Sequence, residues 1–223
     1  MPKKSIVITG ATGLIGSELL NHSAFNDYKI IAIVRSKLQA KLFTRKNNLH
    51  FFIVKDISTH LFTKFFWKDV FLLIHLAAIV HQSKRSDRSS KSEYKKINTD
   101  LTMNLANQAA KNFVKRFIFL SSIKVNGEFS YPFDSFSAMD ECNPNDLYGN
   151  SKMISENKLL SLSKKNSMEV TIIRSPLVYG PGVKSNFLDL IKLANSGFFL
   201  PFKLINNKRS MIYVKNLVDF IIF

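Results

Sequence analysis

Ser5-Ile6-Val7-Ile8-Thr9-Gly10-Ala11-Thr12-Gly13-Leu14-Ile15-Gly16 carries a short apolar run into three glycines spaced G-x-x-G-x-x-G, and Ser17-Glu18-Leu19-Leu20 continues it with a helical pattern. That order has a physical meaning. A buried strand ends, a tight turn needs residues free of Cβ strain, and a helix begins with its unpaired N–H groups pointing outward. Gly10 permits the turn, Gly13 lets a diphosphate approach the backbone, and Gly16 lets the helix lie close to the strand. A glycine triplet alone is compatible with a turn that binds nothing, but the strand before it and the helix after it favour a dinucleotide-binding start.

The rest of the chain alternates in the same way. Ile30 to Val34, Leu49 to Val54, Val70 to Leu76, Arg116 to Leu120 and Val170 to Ile173 read as strands. Asn98 to Lys111 follows a helical rhythm through Leu101, Leu105 and Ala109. Short β-branched runs separated by helical stretches predict parallel strands with right-handed crossovers, hence an α/β doubly wound sheet of the Rossmann type. The polar stretch Gln82 to Ser92 is the candidate for a long loop beside the ligand crevice.

Composition bounds the reading. The 223 residues are 46% hydrophobic, enough for one large core. The longest apolar run, Val70 to Val80, is interrupted by His75 and is shorter than the roughly 18 residues a membrane span needs. The glycine-rich turn begins too early to follow a signal peptide. Cys142, the only cysteine, cannot form an internal disulfide, so a reducing cytoplasm fits. No metal site is expected. The net charge of +16 comes mostly from lysine, 25 against 7 arginines, scattered along the chain. The densest cluster, Lys84-Arg85-Ser86-Asp87-Arg88, lacks the interleaved aromatics that stack on bases. A solvated surface is therefore favoured over a nucleic-acid partner, and peripheral attraction to an anionic membrane face stays open.

Tyr148-Gly149-Asn150-Ser151-Lys152 places a tyrosine and a lysine four residues apart on one helical face, where the ammonium can sit beneath the phenol. A free phenol with a pKa of about 10 is a poor acid–base catalyst at neutral pH, and a nearby cation lowers that value. Such a spacing is common by chance. Ser121-Ser122 closes the fifth strand 26 residues before Tyr148, at the carboxyl edge where an open α/β sheet binds its ligand. Together with the glycine turn, the three groups read as a catalytic set.

These stretches, with Asp56-Ile57, His75-Leu76-Ala77-Ala78, Leu120 to Gly127 and Arg174 to Gly182, resemble an extended short-chain dehydrogenase/reductase of the NAD-dependent epimerase/dehydratase family. The matches span nearly the whole chain. Ser121 to Glu128 and Asn206 to Ser210 are similar to a bacterial surface-polysaccharide subgroup of 4-epimerases and 4-ketoreductases of UDP-N-acetyl-hexosamines. The resemblance implies catalytic roles for Ser122, Tyr148 and Lys152. Ser122 is chosen over Ser121 because Val125-Asn126-Gly127 matches the family's Val-Tyr-Gly. It implies cofactor contacts from Gly10, Thr12, Gly13, Leu14, Ile15 and Gly16, from Asp56 and Ile57 toward the adenine, and from Leu76, Ala77 and Ala78. Asn186 and Arg209 would hold the UDP diphosphate. A Rossmann domain over residues 1–175 and a partial nucleotide-sugar lobe over 176–223 follow, as does a homodimer through a helix bundle.

Two departures shape the expectation. NAD-selective members carry a carboxylate after the second strand; here the strand ends Val34-Arg35-Ser36, so Arg35 and Ser36 favour NADP(H) slightly. Family members also run about a hundred residues longer, so the chain looks truncated within its smaller lobe. The expected activity is hydride transfer with NAD(P) at C4 of a UDP-sugar, as a 4-epimerase or a 4-ketoreductase. Ile123 and Lys124, in place of an acidic residue beside the serine, argue against dehydration. An inactive truncated paralogue and a non-catalytic NAD(P)-binding protein are the alternatives.

Overall fold

Residues 4–41, 43, 47–58, 62–64, 66–80, 91–130, 135–183, 186–197 and 208–223 are described by a computed structural model. β1 (Ser5–Thr9) feeds the glycine turn and α1 (Leu14–Asn21), then β2 (Lys29–Val34), α2 (Lys37–Ala40), β3 (Leu49–Ile53) and β4 (Val70–His75). A continuous helical run follows, formed by α3 (Lys91–Tyr94), a π turn (Lys95–Asp100) and α4 (Leu101–Lys111). β5 (Arg116–Ser122), α5 (Leu147–Ser163) and β6 (Glu169–Ser175) complete the main layer. β7 (Leu177–Tyr179), α6 (Asn186–Asn195), β8 (Met211–Tyr213) and α7 (Val214–Ile222) form the remainder.

The six main strands lie in the order β3-β2-β1-β4-β5-β6, and every pairing is parallel. Strand order reverses at β1 and β4, so the connections leaving their carboxyl ends run in opposite directions and open a crevice at that point. β1 is buried at every position, and it reads as continuous Val/Ile because helices cover both faces. On one face Val7, Leu73, Phe117 and Phe119 pack against Leu101, Leu105 and Leu159. On the other, Ile6, Ile8 and Ile74 pack against Leu19 of α1 and Leu217, Val218 and Ile221 of α7. The C-terminal helix thus returns from the small β7–β8 ribbon to seal the sheet beside α1. Among the described residues no helix is long and apolar enough to cross a membrane. Of the polar stretch Gln82 to Ser92, positions 82–90 lie outside the described residues, and Lys91 and Ser92 open α3.

Candidate active site

The glycine turn is held by contacts that exclude side chains at two of its three positions. Gly10 has φ +69°, and a Cβ there would stand 2.7 Å from Ala77 N and Leu76 C on the neighbouring strand end. A Cβ on Gly16 would overlap the Gly10 carbonyl oxygen and stand 2.7 Å from Ala11 Cα, so α1 presses on the turn itself. Gly13 differs. It is exposed, its Cβ would meet only Gly10 O at 3.3 Å, and it stands at the N-cap of α1. No side chain caps that helix, and its first turn holds no acid. Gly13 N donates to Gly10 O (3.0 Å), and the N–H groups that open α1 at Leu14 and Ile15, with the positive end of the helix dipole, are the donors a diphosphate needs, so the turn fits a dinucleotide.

Around the turn, Leu76 N donates to Thr9 O (3.2 Å) and Ala77 N to Thr9 Oγ1 (3.3 Å), which fixes the partly buried Leu76-Ala77-Ala78 against Gly10. Arg35 follows β2, exposed, and its guanidinium bonds to no described residue. Ser36 has another duty: its Oγ accepts from Gln39 N and caps α2, leaving only its hydroxyl proton for a ligand. Asp56 lies at the carboxyl end of β3, where Ser58 N donates to Oδ1 (2.9 Å) and Lys96 Nζ to Oδ2 (3.3 Å). The Ser58 hydroxyl above all, then its N–H and Lys96, holds the Asp56 carboxyl below its ordinary pKa. Ile57 packs partly buried against the core.

The serine, tyrosine and lysine meet at the end of β5. Strand alternation turns Ser121 toward Glu156 and Ser122 toward Tyr148, to which the Ser122 hydroxyl hydrogen-bonds. Ser122 Oγ also accepts from Lys124 N (3.3 Å). Tyr148 occupies the first turn of α5, whose N-cap Asp146 accepts from Gly149 N (2.6 Å) and is held by Lys124 Nζ (2.5 Å). Lys152 Nζ donates to Leu120 O (2.7 Å), sits 4.4 Å from the Phe119 ring centre and 5.9 Å from that of Tyr148. The ammonium thus lies over the Phe119 ring at the end of β5 and also over the face of the Tyr148 phenol.

The electrostatics depart from the sequence expectation because burial outweighs the neighbouring groups. Burial pushes the Tyr148 phenol up to about 12, against the hydrogen bond from Ser122 and with the charge of Asp146. Burial pushes Lys152 down to about 7, opposed by Glu156. At neutral pH Tyr148 is a phenol, a proton donor, and Lys152 is poised between its two protonation states.

Several polar residues of this neighbourhood carry no clear mark in the sequence. His75 is fully buried between Thr9 Oγ1 (2.7 Å from Nδ1) and Thr102 Oγ1 (2.9 Å from Nε2) and stacks on Phe119. Thr102 gives its own proton to Asn98 O (2.7 Å), so it accepts from His75 Nε2–H, and Nδ1 accepts from Thr9. Burial, with Lys152 adding to it, pushes the ring down to about 3, so it stays neutral. The π turn brings Asn98 inward: its Nδ2 donates to Ile79 O (3.0 Å) and Ser151 Oγ (3.0 Å), and its Oδ1 accepts from Ile79 N (2.8 Å). Beneath Lys152, buried Glu156 accepts from Ser121, from Arg174 Nη2 (2.7 Å) and from Arg174 Nε (3.1 Å). Arg174 continues to Asn126 Oδ1 (3.2 Å) and Cys142 Sγ (3.2 Å). His75 is legible only as a polar break in an apolar run. Asn98 and Glu156 lie on helices whose buried sides are themselves polar, so periodicity cannot mark them.

The two diphosphate candidates belong to the region after β7. Asn186 opens α6 and its side chain lies outside the described residues. Arg209 is exposed just before β8 and bonds to no described residue. Among the described residues no group of His, Cys, Asp and Glu is arranged to hold a metal ion.

The sequence profile of the NAD dependent epimerase/dehydratase family matches residues 6–223. A UDP-glucose 4-epimerase of Vibrio cholerae is 41% identical over 224 aligned residues, covering 100% of this chain and 66% of that protein. An N-acetyl-alpha-D-glucosaminyl-diphospho-ditrans,octacis-undecaprenol 4-epimerase of Escherichia coli O157:H7 is 34% identical over 139 residues, 61% of this chain and 41% of that protein. The chain thus spans less than two thirds of these relatives' length. Among solved structures, a UDP-glucuronic acid 4-epimerase from Bacillus cereus, in complex with UDP-glucuronic acid and NAD, superposes with a TM-score of 0.78 at 24% identity, over 96% of this chain and 70% of that one. The chain belongs to the NAD dependent epimerase/dehydratase family.

Proposed function

We propose that this family member carries the cofactor half and the acid–base set of an NAD(P)-dependent 4-epimerase acting on a UDP-sugar, with a UDP-hexosamine as the preferred class. One observation carries the reading: Ser122, Tyr148 and Lys152 converge at the carboxyl end of β5, beside an uncapped helix N-terminus across the crevice that opens at β1 and β4. The names of the two relatives, both 4-epimerases, support C4 as the reacting carbon. The NAD complex of the structural neighbour is in keeping with the fit of the glycine turn.

In this reading Thr12, the N–H groups of Leu14 and Ile15 and the turn at Gly10, Gly13 and Gly16 hold the dinucleotide diphosphate. Asp56 and Ile57 flank its adenine, Leu76 to Ala78 line it, and Arg35 meets its ribose. When bound, the cofactor supplies the hydride acceptor and donor. Ser122 donates a hydrogen bond to the C4 oxygen of the sugar, and Tyr148 gives that oxygen a proton or removes one. Lys152, held by Leu120 O, supplies the nearby positive charge that makes phenolate formation feasible. Asn186 and Arg209 would meet the UDP diphosphate from the lobe spanning 176–223, and assembly as a homodimer in the cytoplasm completes the proposal.

A second reading, 4-ketoreduction, draws on one feature: the exposed Arg35, with no carboxylate directly after β2, suits NADP(H) as a consumed reductant. Proton NMR separates the two. The chain in the length in which it is made is incubated with UDP-N-acetylglucosamine and NAD, and separately with a UDP-4-keto-6-deoxy-hexosamine and NADPH. Inversion at C4 in the first mixture supports epimerisation, NADPH oxidation in the second supports reduction, and neither reaction would leave only cofactor binding.

A further inference from the structure

We propose that the amino-terminal edge of the sheet, opposite the crevice, is a docking surface for an anionic lipid bilayer. Parallel strands begin side by side at this edge. Lys29 N bonds to Lys4 O, Ser5 N to Asp69 O, Lys115 N to Phe71 O and Glu169 N to Lys115 O, so the row is continuous from β2 to β6. Lys4, Lys29, Lys68 and Lys115 stand in that row, all exposed. Lys111 at the end of α4, with Lys164 and Lys165 just after α5, joins them from the helix ends.

Among the described residues none of these seven lysines has a carboxylate partner; Lys4 alone has a ring contact, with Phe71. Among the described residues the acids at this edge are Asp27, Asp69, Glu169 and Asp219; Glu169 is taken by Arg116, and Asp219 lies 3.0 Å from His22 at the end of α1. Beside the crevice, by contrast, Lys95, Lys96 and Lys124 are each paired with carboxylates. Helix dipoles account for Lys111 and Lys164, but not for lysines that precede strands.

Phe113 supplies the second observation. It sits in the turn between α4 and β5, flanked by Lys111 and Lys115, with 85% of its surface in water and φ +61°. Asparagine or glycine would occupy a left-handed position without strain, and a polar residue would avoid exposing a ring. An aromatic tip ringed by unpaired lysines matches the demands of a bilayer interface, where the ring enters the headgroup region and the ammoniums meet anionic lipid. Docking by this edge leaves the crevice facing bulk water, open to a soluble nucleotide sugar; that last clause rests on the proposed function, while the docking itself does not.

Vesicle co-sedimentation in low salt tests it, with phosphatidylcholine alone and with about one-third phosphatidylglycerol. The chain should bind the anionic vesicles and not the neutral ones. K111S/K115S/K165S should weaken that binding roughly 100-fold, and Phe113→Asn, which relieves the left-handed strain and so keeps the fold, roughly tenfold. K37S/K41S/K192S removes the same charge elsewhere and should change binding less than about threefold, with circular dichroism confirming that each variant is folded. Equal loss in both triple variants would show a bulk-charge effect and overturn the proposal. So would unchanged binding in K111S/K115S/K165S and Phe113→Asn, equal binding to neutral vesicles, or retention of duplex RNA in place of vesicles.

Discussion

The two ends of the chain solve different problems. From β1 to β6 three polar groups near the crevice are buried and satisfied: His75 between two threonines, Asn98 on the Ile79 backbone, Glu156 between Ser121 and Arg174. From β7 onward the elements are short, and Leu177, Leu190, Leu193 and Met211 are each at least 40% exposed. Among the described residues of that region α7 supplies buried core residues, Leu217, Val218 and Ile221, while Val178 of β7 and Ile212 of β8 pack partly buried against them. A proton-transfer centre needs its groups held to fractions of an ångström, and buried hydrogen bonds supply that. The sugar recognition proposed for the region from β7 onward can rest on shorter elements, because such contacts are made by side chains at a surface.

Substitutions that probe the contrast differ in size. Glu156→Gln leaves the Arg174 guanidinium, 18% exposed, without its carboxylate. Breaking a buried pair in this way costs about 3–5 kcal/mol, read as a lower urea midpoint. A midpoint unchanged would mean that the pair contributes nothing to the buried half.

Arg35→Asp is expected to act on ligand choice instead. Losing a charge-assisted contact to a 2′-phosphate should weaken NADP(H) by about 1.5–3 kcal/mol, roughly 10- to 150-fold, and NAD(H) far less. Dissociation constants for both cofactors on both proteins check it, and an unchanged ratio would mean that Arg35 does not read the phosphate.

His75 gives a smaller effect with a defined pH window. The unfolded ring takes a proton near pH 6.5 and the folded ring not until about 3. Between those values the unfolded state binds more protons, so stability falls as pH falls, by about 1 kcal/mol over the first unit below 6.5. Above 6.5 the contribution is complete. Thermal midpoints across that interval should decline less steeply in His75→Asn. The smallest effect belongs to the lobe: Leu190→Ser on α6, 49% exposed, should change stability by less than about 0.5 kcal/mol. A larger loss would show that this face is packed.

Much of this organisation is legible in the amino-acid sequence. Val7, Leu73 and Phe117 reveal the strands because a sheet covered on both faces writes itself as apolar runs, and Gly10 and Gly16 reveal the turn because no other residue fits there. Ser122, Tyr148 and Lys152 are visible through spacing. What spacing cannot give is the environment. A Lys152 ammonium near the phenol is expected to lower the Tyr148 pKa, yet burial of the phenol dominates and raises it to about 12. Asn98 is hidden because a π turn, not an α turn, carries it inward. β7 and β8, three residues each, are too short to leave a periodic signal.

The central claim is that one set of residues holds the cofactor and another performs proton transfer, and a paired measurement on Gly13→Val and Tyr148→Phe tests it most directly. Cofactor dissociation constants and C4 turnover of a UDP-sugar are measured for both variants beside the unaltered protein. Gly13→Val should lose cofactor binding, because its methyl groups fill the approach to the free N–H groups of α1. Tyr148→Phe should bind cofactor as before, while turnover falls roughly 100-fold or more, the loss expected for a general acid. Undiminished turnover in Tyr148→Phe, or cofactor binding that survives intact in Gly13→Val, would contradict the account.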